Sequence, residues 1–394
     1  MKEVVVVGGV RTPGGKFGGT LKDVPVPELG SLVVREVVRR TGVDPEVIDE
    51  VIFGNGWQAG VGPNAARLVT VKGGLPDKVP AFTVNKRCGS SLKAVTLGTQ
   101  AIRAGDAEAI LAGGVENTSR VPYIVPGARW GMRQGHGEIV DLTHRDGYVC
   151  PLAGEIMGST AETLAIKYAI SRDEQDQFAH ESQKKALAAI EKGYFKDEIV
   201  PVPLDGNGKG PGAFEEDEIP RKDITLEKLA KLKPIFKKDG TVTAGNACAQ
   251  CDAASAMILM SAERAKDLGV SPVARIVGYA SAGVDPKLMG IGPVPAVRKA
   301  LEKAGMALGD MDLIELNEAF AAQVIAVERE LKWDREKLNV HGGAIALGHP
   351  VGATGAKIAV SLLGALRRLD KTLGLATLCI GGGQGVAVIF ERLR

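Results

Sequence analysis

The sequence predicts an α/β protein in which two related halves form a duplicated α/β sandwich, with an inserted loop domain between them. Three observations carry this reading. Short β-branched runs alternate with helical periods in the first third, the same order returns in the last third, and the middle changes character. Strand–helix alternation calls for a parallel or mixed sheet covered by helices. At about 100–200 residues per domain, the 394 residues suit two to three domains or one duplicated fold.

Residues 3–7, EVVVV, form a first strand because β-branched side chains fit a pleated, half-buried surface. Val26–Thr41 spaces its apolar residues at helical intervals, and Glu50–Gly54 reads as a second strand. Ala81–Val84 is a third strand, Ser90–Ala104 a helix, and 109–114 a further apolar strand. In the last third, strands are expected at 274–279, 312–316, Leu373–Ile380 and 386–390, and helices at Pro293–Ala304, 319–331 and Thr354–Arg368. Two segments correspond in order. CGSSLKAVTLGTQAIRAGDAEAILAGGVEN and GHPVGATGAKIAVSLLGALRRLDKTLGLATLCIGGGQG both run from a glycine-marked helix start, through a small-residue helix, into an apolar strand ending in Gly-Gly. Their order of elements supports a duplication.

Between the halves the chain is studded with prolines and carries the acidic run 215–218. One amphipathic helix, 171–192, opens on a capping box of Ser171 and Glu174. The expected division is 1–117 for the N-terminal half, 118–262 for a loop domain and 263–394 for the C-terminal half. Inserted loops on a rigid scaffold tend to carry binding.

Composition removes several function classes. Hydrophobic residues at 45% and charged residues at 24% support a full core and exclude wholesale disorder. Lys+Arg 49 against Asp+Glu 47 leaves +2, so nothing global points to nucleic acid or an anionic membrane. No stretch of about 18 uncharged apolar residues offers a membrane span. The N-terminus enters its strand with no signal or transit segment ahead, and five scattered cysteines make no disulfide framework. The expectation is a reducing, cytoplasmic setting, where a cysteine is more readily chemistry than staple. Neither GxxxxGK[ST] nor GxGxxG is present, which disfavours nucleotide hydrolysis and dinucleotide redox chemistry.

Cys88, in TVNKRCGSSLKAV, stands between a strand and a helix start. There a thiol faces free backbone N–H groups and the positive helix end, which is expected to lower its pKa. Cysteine is ordinarily a small buried hydrophobe, but the strand-Cys-Gly-Ser-Ser-helix order favours a nucleophile. His349, in HGGAIALGHPVGATGA, lies at the matching helix entrance of the second half, which places it opposite Cys88 as a base. A lone histidine is most often structural, and the pseudo-repeat argues otherwise. Cys379 ends a strand before Gly381-Gly382-Gly383, either a plain strand cysteine or the edge of an oxyanion site. Asn317 and Glu318 open a helix, where Asn is a routine cap or an amide that orients a water. Cys248 and Cys251 make one CxxC with no second ligand pair, so neither zinc nor a redox pair is favoured. The lysine-rich stretch from Arg221 to Lys238 reads as a solvated face, or as a receiver of phosphates.

Together these segments resemble the thiolase family over essentially the whole chain. The matching pieces are RTPGGKFGGTL, TVNKRCGSSLKAV, AGGVENTSRVPY, IMGSTAE, LKPIFKKDGTVTAGNA, NEAF, GGAIALGHPVGATGA and CIGGGQG, all in one order. The resemblance implies a two-halved α/β thiolase sandwich with a loop domain, and an acyltransferase (acetyl-CoA acetyltransferase type) acting reversibly on 3-ketoacyl-CoA in fatty acid metabolism. Cys88 would be the acylated nucleophile, activated by His349, and Cys379 the second acid/base at the α-carbon of acetyl-CoA. Asn317, through a water, and His349 would hold one thioester oxygen, and the N–H groups of Cys88 and Gly381 the other.

Coenzyme A is then a substrate and no cofactor or metal is implied. Arg221 and Lys228 would lie near its nucleotide end, Leu229, Phe236, Ala244 and Cys248 along the pantetheine, and Ala319 and Phe320 near the reactive end. A homodimer or homotetramer follows from the same resemblance, with the apolar 121–138 segment as the tetramer contact.

Two departures stand out. Relatives commonly read Ser-Gly-x-Asn-Asp after TAGNA, where this chain has Cys248-Ala249-Gln250-Cys251-Asp252, which alters the pantetheine wall. Ile156 stands where acetoacetyl-specific members often carry His, as in degradative members. Ketoacyl and 3-hydroxy-3-methylglutaryl-CoA synthases are the related alternatives, and Cys379 in CIGGGQG speaks against both. A silent CoA or lipid carrier is the third, and the intact NEAF and both cysteines speak against it.

Overall fold

The computed structural model describes residues 2–204 and 212–393. Nine strands make the main path of one sheet: β1 (Val4–Arg11), β2 (Glu50–Gly54), β3 (Ala81–Val84), β4 (Ala109–Asn117), β5 (Cys251–Ser261), β6 (Ala274–Gly283), β7 (Leu313–Leu316), β8 (Leu373–Ile380) and β9 (Gln384–Arg392). Their order is β7-β8-β9-β6-β1-β5-β4-β2-β3.

That order contains one pattern twice. From the centre outward the first half reads β1, β5, β4, β2, β3, and the second reads β6, β9, β8, β7. The directions match as well. β1/β5 and β5/β4 are antiparallel and β4/β2 parallel, as are β6/β9, β9/β8 and β8/β7 in turn. Where β3 closes the first half, an isolated parallel bridge from Ile314 to Leu338 stands in the second. The halves join through a short antiparallel contact, Val5 with Arg275 and Val6 with Ala274.

Two central helices, α1 (Ser90–Ala104) and α2 (Thr354–Arg368), pack together in one buried cluster. Leu92, Val95 and Ile102 of the first share it with Ile358, Leu362 and Leu366 of the second. Their N-terminal turns approach so closely that a Cβ on Gly355 would lie 2.4 Å from the Leu92 nitrogen. The Ala356 N–H donates to Ser91 Oγ across the gap at 2.9 Å. Side-chain-free contact is what brings the two helix starts, and hence Cys88 and His349, to neighbouring positions.

The expected boundary of the inserted region needs one correction. Cys251–Ser261, read from sequence as part of 118–262, is a fully buried strand of the first half, paired with β1 and β4. The insertion therefore leaves at the end of β4 and returns at Cys251. In the second half the equivalent connection is the tight glycine turn between β8 and β9.

The insertion contains the 20-residue helix Arg172–Glu191, whose Ser171–Glu174 capping box forms as expected. It is bound to β1 by ions. Arg11, wholly buried, donates through Nε to Glu198 at 2.7 Å and through its two terminal nitrogens to Asp217 at 2.8 and 2.9 Å. Removing one member of such a group leaves an uncompensated buried charge.

Candidate active site

Cys88 emerges from a turn that its neighbours build. Asn85 Oδ1 accepts from the Arg87 N–H at 3.0 Å, and Ser90 Oγ accepts from Lys86 N at 2.9 Å while donating to Arg87 O at 2.6 Å. Arg87 itself takes φ +48°, in the left-handed region. This brings Cys88 onto the wall of a cavity of about 590 Å³ just before α1.

The N–H groups of Gly381 and of Cys88 both act on the Cys88 thiol, favouring its charged form. They are placed to receive an oxyanion formed on an acyl group at that sulfur. Gly381 follows β8 in a glycine turn in which Gly382 and Gly383 take φ +87° and +82°. Cys379, at the end of β8, is buried and lines the same cavity.

The expected lowering of the Cys88 pKa is corrected by its surroundings. Burial pushes the thiol up, against the opposing pull of the Arg87 charge and the two amides. Burial also raises Cys379, with Cys88 and Cys248 beside it, and holds Cys248 up at about 12.

His349 precedes α2 as Cys88 precedes α1. Its backbone N–H donates to Ala249 O at 2.9 Å, and Nδ1 lies 2.7 Å from Thr354 Oγ1. Because Thr354 Oγ1 donates its proton to Pro350 O at 2.9 Å, it accepts from Nδ1–H. That fixes the tautomer and leaves Nε2, buried and without a protein partner, as the basic nitrogen. Burial first, then the Lys357 and Arg87 charges, lower the imidazolium pKa to about 3, so the ring is a neutral base at pH 7.

The NEAF turn and the TAGNACAQC segment form the opposite wall together. Cys248 N donates to Ala319 O at 3.0 Å and Ala321 N to Asn246 O at 2.8 Å, while Ala249 O takes the His349 bond already described. Glu318 is buried and anchors this wall, accepting from Ser182 Oγ at 2.7 Å, Asn339 Nδ2 at 2.8 Å and Ile345 N at 3.1 Å. Phe236 meets Phe320 edge-on at 6.0 Å between ring centres. A Cβ on Gly158 would lie 2.3 Å from the Phe236 ring, so glycine is required there.

Of the residues expected from sequence, Cys88, His349, Cys379, Gly381, Arg221, Phe236, Ala244, Cys248, Ala319 and Phe320 all line the cavity. Three do not. Asn317 is buried with both side-chain polar atoms unpaired, and borders a separate cavity of about 20 Å³ beside Gly348. That space suits a single water. Leu229 is fully buried beneath the wall, and Lys228 turns to Asp223 at 2.6 Å. Cys248 and Cys251 are free thiols, the second buried at the start of β5.

Sequence reasoning missed Tyr148, Met157, Met289 and Arg87 on the wall. Met157 lies inside the IMGSTAE match and Arg87 beside Cys88, but no spacing rule singles out either side chain.

The comparisons agree with this geometry. Residues 4–263 match the family description "Thiolase, N-terminal domain" and residues 270–392 match "Thiolase, C-terminal domain". The chain is 56% identical over 392 residues to the acetyl-CoA acetyltransferase of Pseudomonas aeruginosa, covering 100% of both. It superposes on the crystal structure of the Bacillus anthracis acetyl-CoA acetyltransferase with a TM-score of 0.97 at 50% identity, covering 100% and 99%. For human mitochondrial 3-ketoacyl-CoA thiolase in complex with CoA the TM-score is 0.95 at 43% identity, covering 100% and 98%. A paired fold that delivers one thiol from each half and one imidazole to a single cavity, matched end to end in this way, makes the chain a member of the thiolase family and an acyltransferase.

Proposed function

We propose that the cavity binds CoA thioesters and that Cys88 carries the acyl group through CoA-dependent thiolysis of 3-ketoacyl-CoA and the reverse Claisen condensation. The convergence of Cys88, His349 and Cys379 on one wall, with the Gly381 and Cys88 amides aimed at the nucleophilic sulfur, carries this reading.

In the thiolysis direction, His349 Nε2 takes the Cys88 proton and the sulfur attacks the 3-keto carbon. The amides of Cys88 and Gly381 hold the resulting oxyanion. The bond between C2 and C3 then breaks, leaving an acyl-Cys88 thioester and the enolate of acetyl-CoA. Cys379, kept protonated by burial, gives its proton to the enolate carbon. The enolate oxygen is held from the side of His349 and, through a water, of Asn317. A second CoA thiol gives its proton to the Cys379 thiolate and attacks the acyl carbon, and the Cys88 sulfur leaves and recovers its proton from His349, releasing the shortened acyl-CoA. Splitting the reaction this way gives ping-pong kinetics. The side chains of the chain complete each proton transfer, so CoA enters as substrate and no resident cofactor is called for.

Chain length follows from the acyl side of the cavity. Ile156, Met157 and Met289 present apolar surface there, and Ile156 has no proton to offer a short polar acyl group. The reading is tested by thiolysis of acetoacetyl-, 3-ketohexanoyl- and 3-ketodecanoyl-CoA at matched concentration. Activity retained or rising with length is expected. Activity confined to acetoacetyl-CoA would instead make acetoacetyl-CoA formation the role.

We further propose a homo-oligomer built through residues 121–142. Tyr123, Trp130 and Ile139 are 64%, 82% and 73% exposed on this segment, with Val125 and Met132 beside them. Its only regular pairing is a two-residue hairpin, Tyr123 with Asp141 and Ile124 with Val140. Large apolar side chains gathered so openly call for a covering surface. Light scattering at micromolar concentration is expected to give a dimer or tetramer, and a monomeric mass would refute it. Five free thiols suit the reducing cytoplasm expected for the chain.

A further inference from the structure

We propose that Arg87 is a positioning residue for Cys88: its guanidinium, fixed beside the nucleophile without a carboxylate partner, favours the thiolate over the thiol. Two independent observations carry the inference, one from the backbone and one from the side chain.

Arg87 is one of few non-glycine residues with positive φ, a conformation that L side chains rarely adopt. The turn does not need an arginine. The Arg87 N–H donates to Asn85 Oδ1, while Ser90 Oγ and the Ser90 N–H donate to Arg87 O at 2.6 and 3.0 Å, and glycine would take the same φ without strain. What the turn does not use is the side chain, and that side chain goes to the cavity wall.

There the guanidinium is held from three sides. One terminal nitrogen donates to Gly56 O at 3.2 Å, the other to Gly147 O at 3.0 Å, and the carbon lies 4.8 Å from the Trp57 ring centre. All three contacts leave its charge unneutralised. The two carboxylates within range of its field are otherwise engaged. Asp146 is paired with Arg145 at 2.7 and 3.1 Å, and Glu116 accepts from the N–H groups of Gly56 and Gly352 at 2.8 Å each and from Asn55 Nδ2 at 2.8 Å.

The groups that face Cys88 from the surrounding elements are Arg87, Glu116, Tyr148, Cys248, His349 and Cys379. Burial keeps Tyr148 and both thiols neutral, and His349 is uncharged at pH 7. Glu116 opposes a thiolate, and Lys357 is turned to the carbonyls of Leu347 and Gly348. Arg87 is thus the cation that acts on the nucleophile. An uncompensated cation on the wall of the same cavity favours the charged form of the thiol, and a displacement of about one unit is a factor of about ten in the thiolate fraction at fixed pH.

The inference rests on Cys88 being the acylated nucleophile, and its test reads the thiol without turnover. Iodoacetamide alkylates the Cys88 thiolate, forming an S–C bond and releasing iodide, and the mass of the Cys88 peptide reports the rate from about pH 5.5 to about pH 11. Arg87→Gln is expected to react about tenfold more slowly than wild type at pH 7 and to approach it only above the ordinary thiol range, once the raised thiol of each form has titrated. Arg87→Lys, which keeps a charge but not the fork to Gly56 and Gly147, is expected to stay within about threefold throughout. A rate lowered evenly at every pH, an unchanged profile, or an equal shift in both variants would overturn the proposal. Each variant is read as soluble protein with the wild-type thermal midpoint. Should Arg87→Gln not fold, Arg87→Asn, better suited to the left-handed φ, takes its place. Thiolysis by Cys88→Ser is measured separately, so a failure of the nucleophile assignment is not confused with a failure of this one.

Discussion

Cys88→Ala is expected to lower thiolysis by at least about 10⁴-fold and to abolish any acyl adduct on the peptide spanning 85–93. The size follows from what the residue does. Without the sulfur no covalent intermediate forms, and the remaining donors at Gly381 and residue 88 stabilise an oxyanion that no longer arises. Binding should persist, because the cavity wall built by Phe236, Ala319 and Phe320 is untouched. Incubation with radiolabelled acetyl-CoA followed by peptide mapping checks this directly. A labelled acyl group on another residue of an active variant would remove Cys88 from its role.

Cys379→Ala separates the two proton transfers. The variant is expected to keep Cys88 acylation from acetyl-CoA while losing about 10²–10⁴-fold in α-proton exchange. Burial raises the Cys379 thiol well above its ordinary range, so at neutral pH it holds the proton that the enolate carbon must receive. Deuterium uptake into the acetyl methyl of acetyl-CoA in heavy water reads that step alone. Exchange at the wild-type rate would pass the role to another group, and loss of acylation along with exchange would show that the side chain supports the nucleophile instead.

The chemistry was more legible than the walls that surround it. Cys88 and His349 stood out because each sits at a strand-to-helix junction punctuated by glycine, a local signal that needs no tertiary knowledge. Their meeting required the duplication, which the order of elements showed and the repeated strand directions display. Leu229 and Lys228 lie off the cavity wall for the opposite reason. They occupy a short helix in which neighbours point into the core and toward Asp223, and linear proximity to the cavity wall says nothing of which side faces it.

The return strand, CDAASAMILMS, was lost to the inserted region because it is buried on both faces and shows no alternation. Nothing in the sequence marks Arg87, because a positive φ is invisible there unless glycine or asparagine signals it.

The inserted region has a further consequence. It departs after Asn117 and comes back at Cys251, and Asn117 lies directly opposite Asp252 across two neighbouring antiparallel strands. Its two ends are thus already adjacent, and the scaffold is indifferent to how much chain hangs between them, since closure entropy grows only with the logarithm of length. The second half demonstrates the minimal version, a glycine turn from Ile380 to Gln384 that carries Gly381 onto the cavity wall. One architectural position therefore serves as a socket. On one side it is left nearly bare and puts Gly381 on the cavity wall, and on the other it is furnished with a module that lines the rest of the cavity, so that lining can be exchanged while Cys88 and His349 stay where the paired helices hold them.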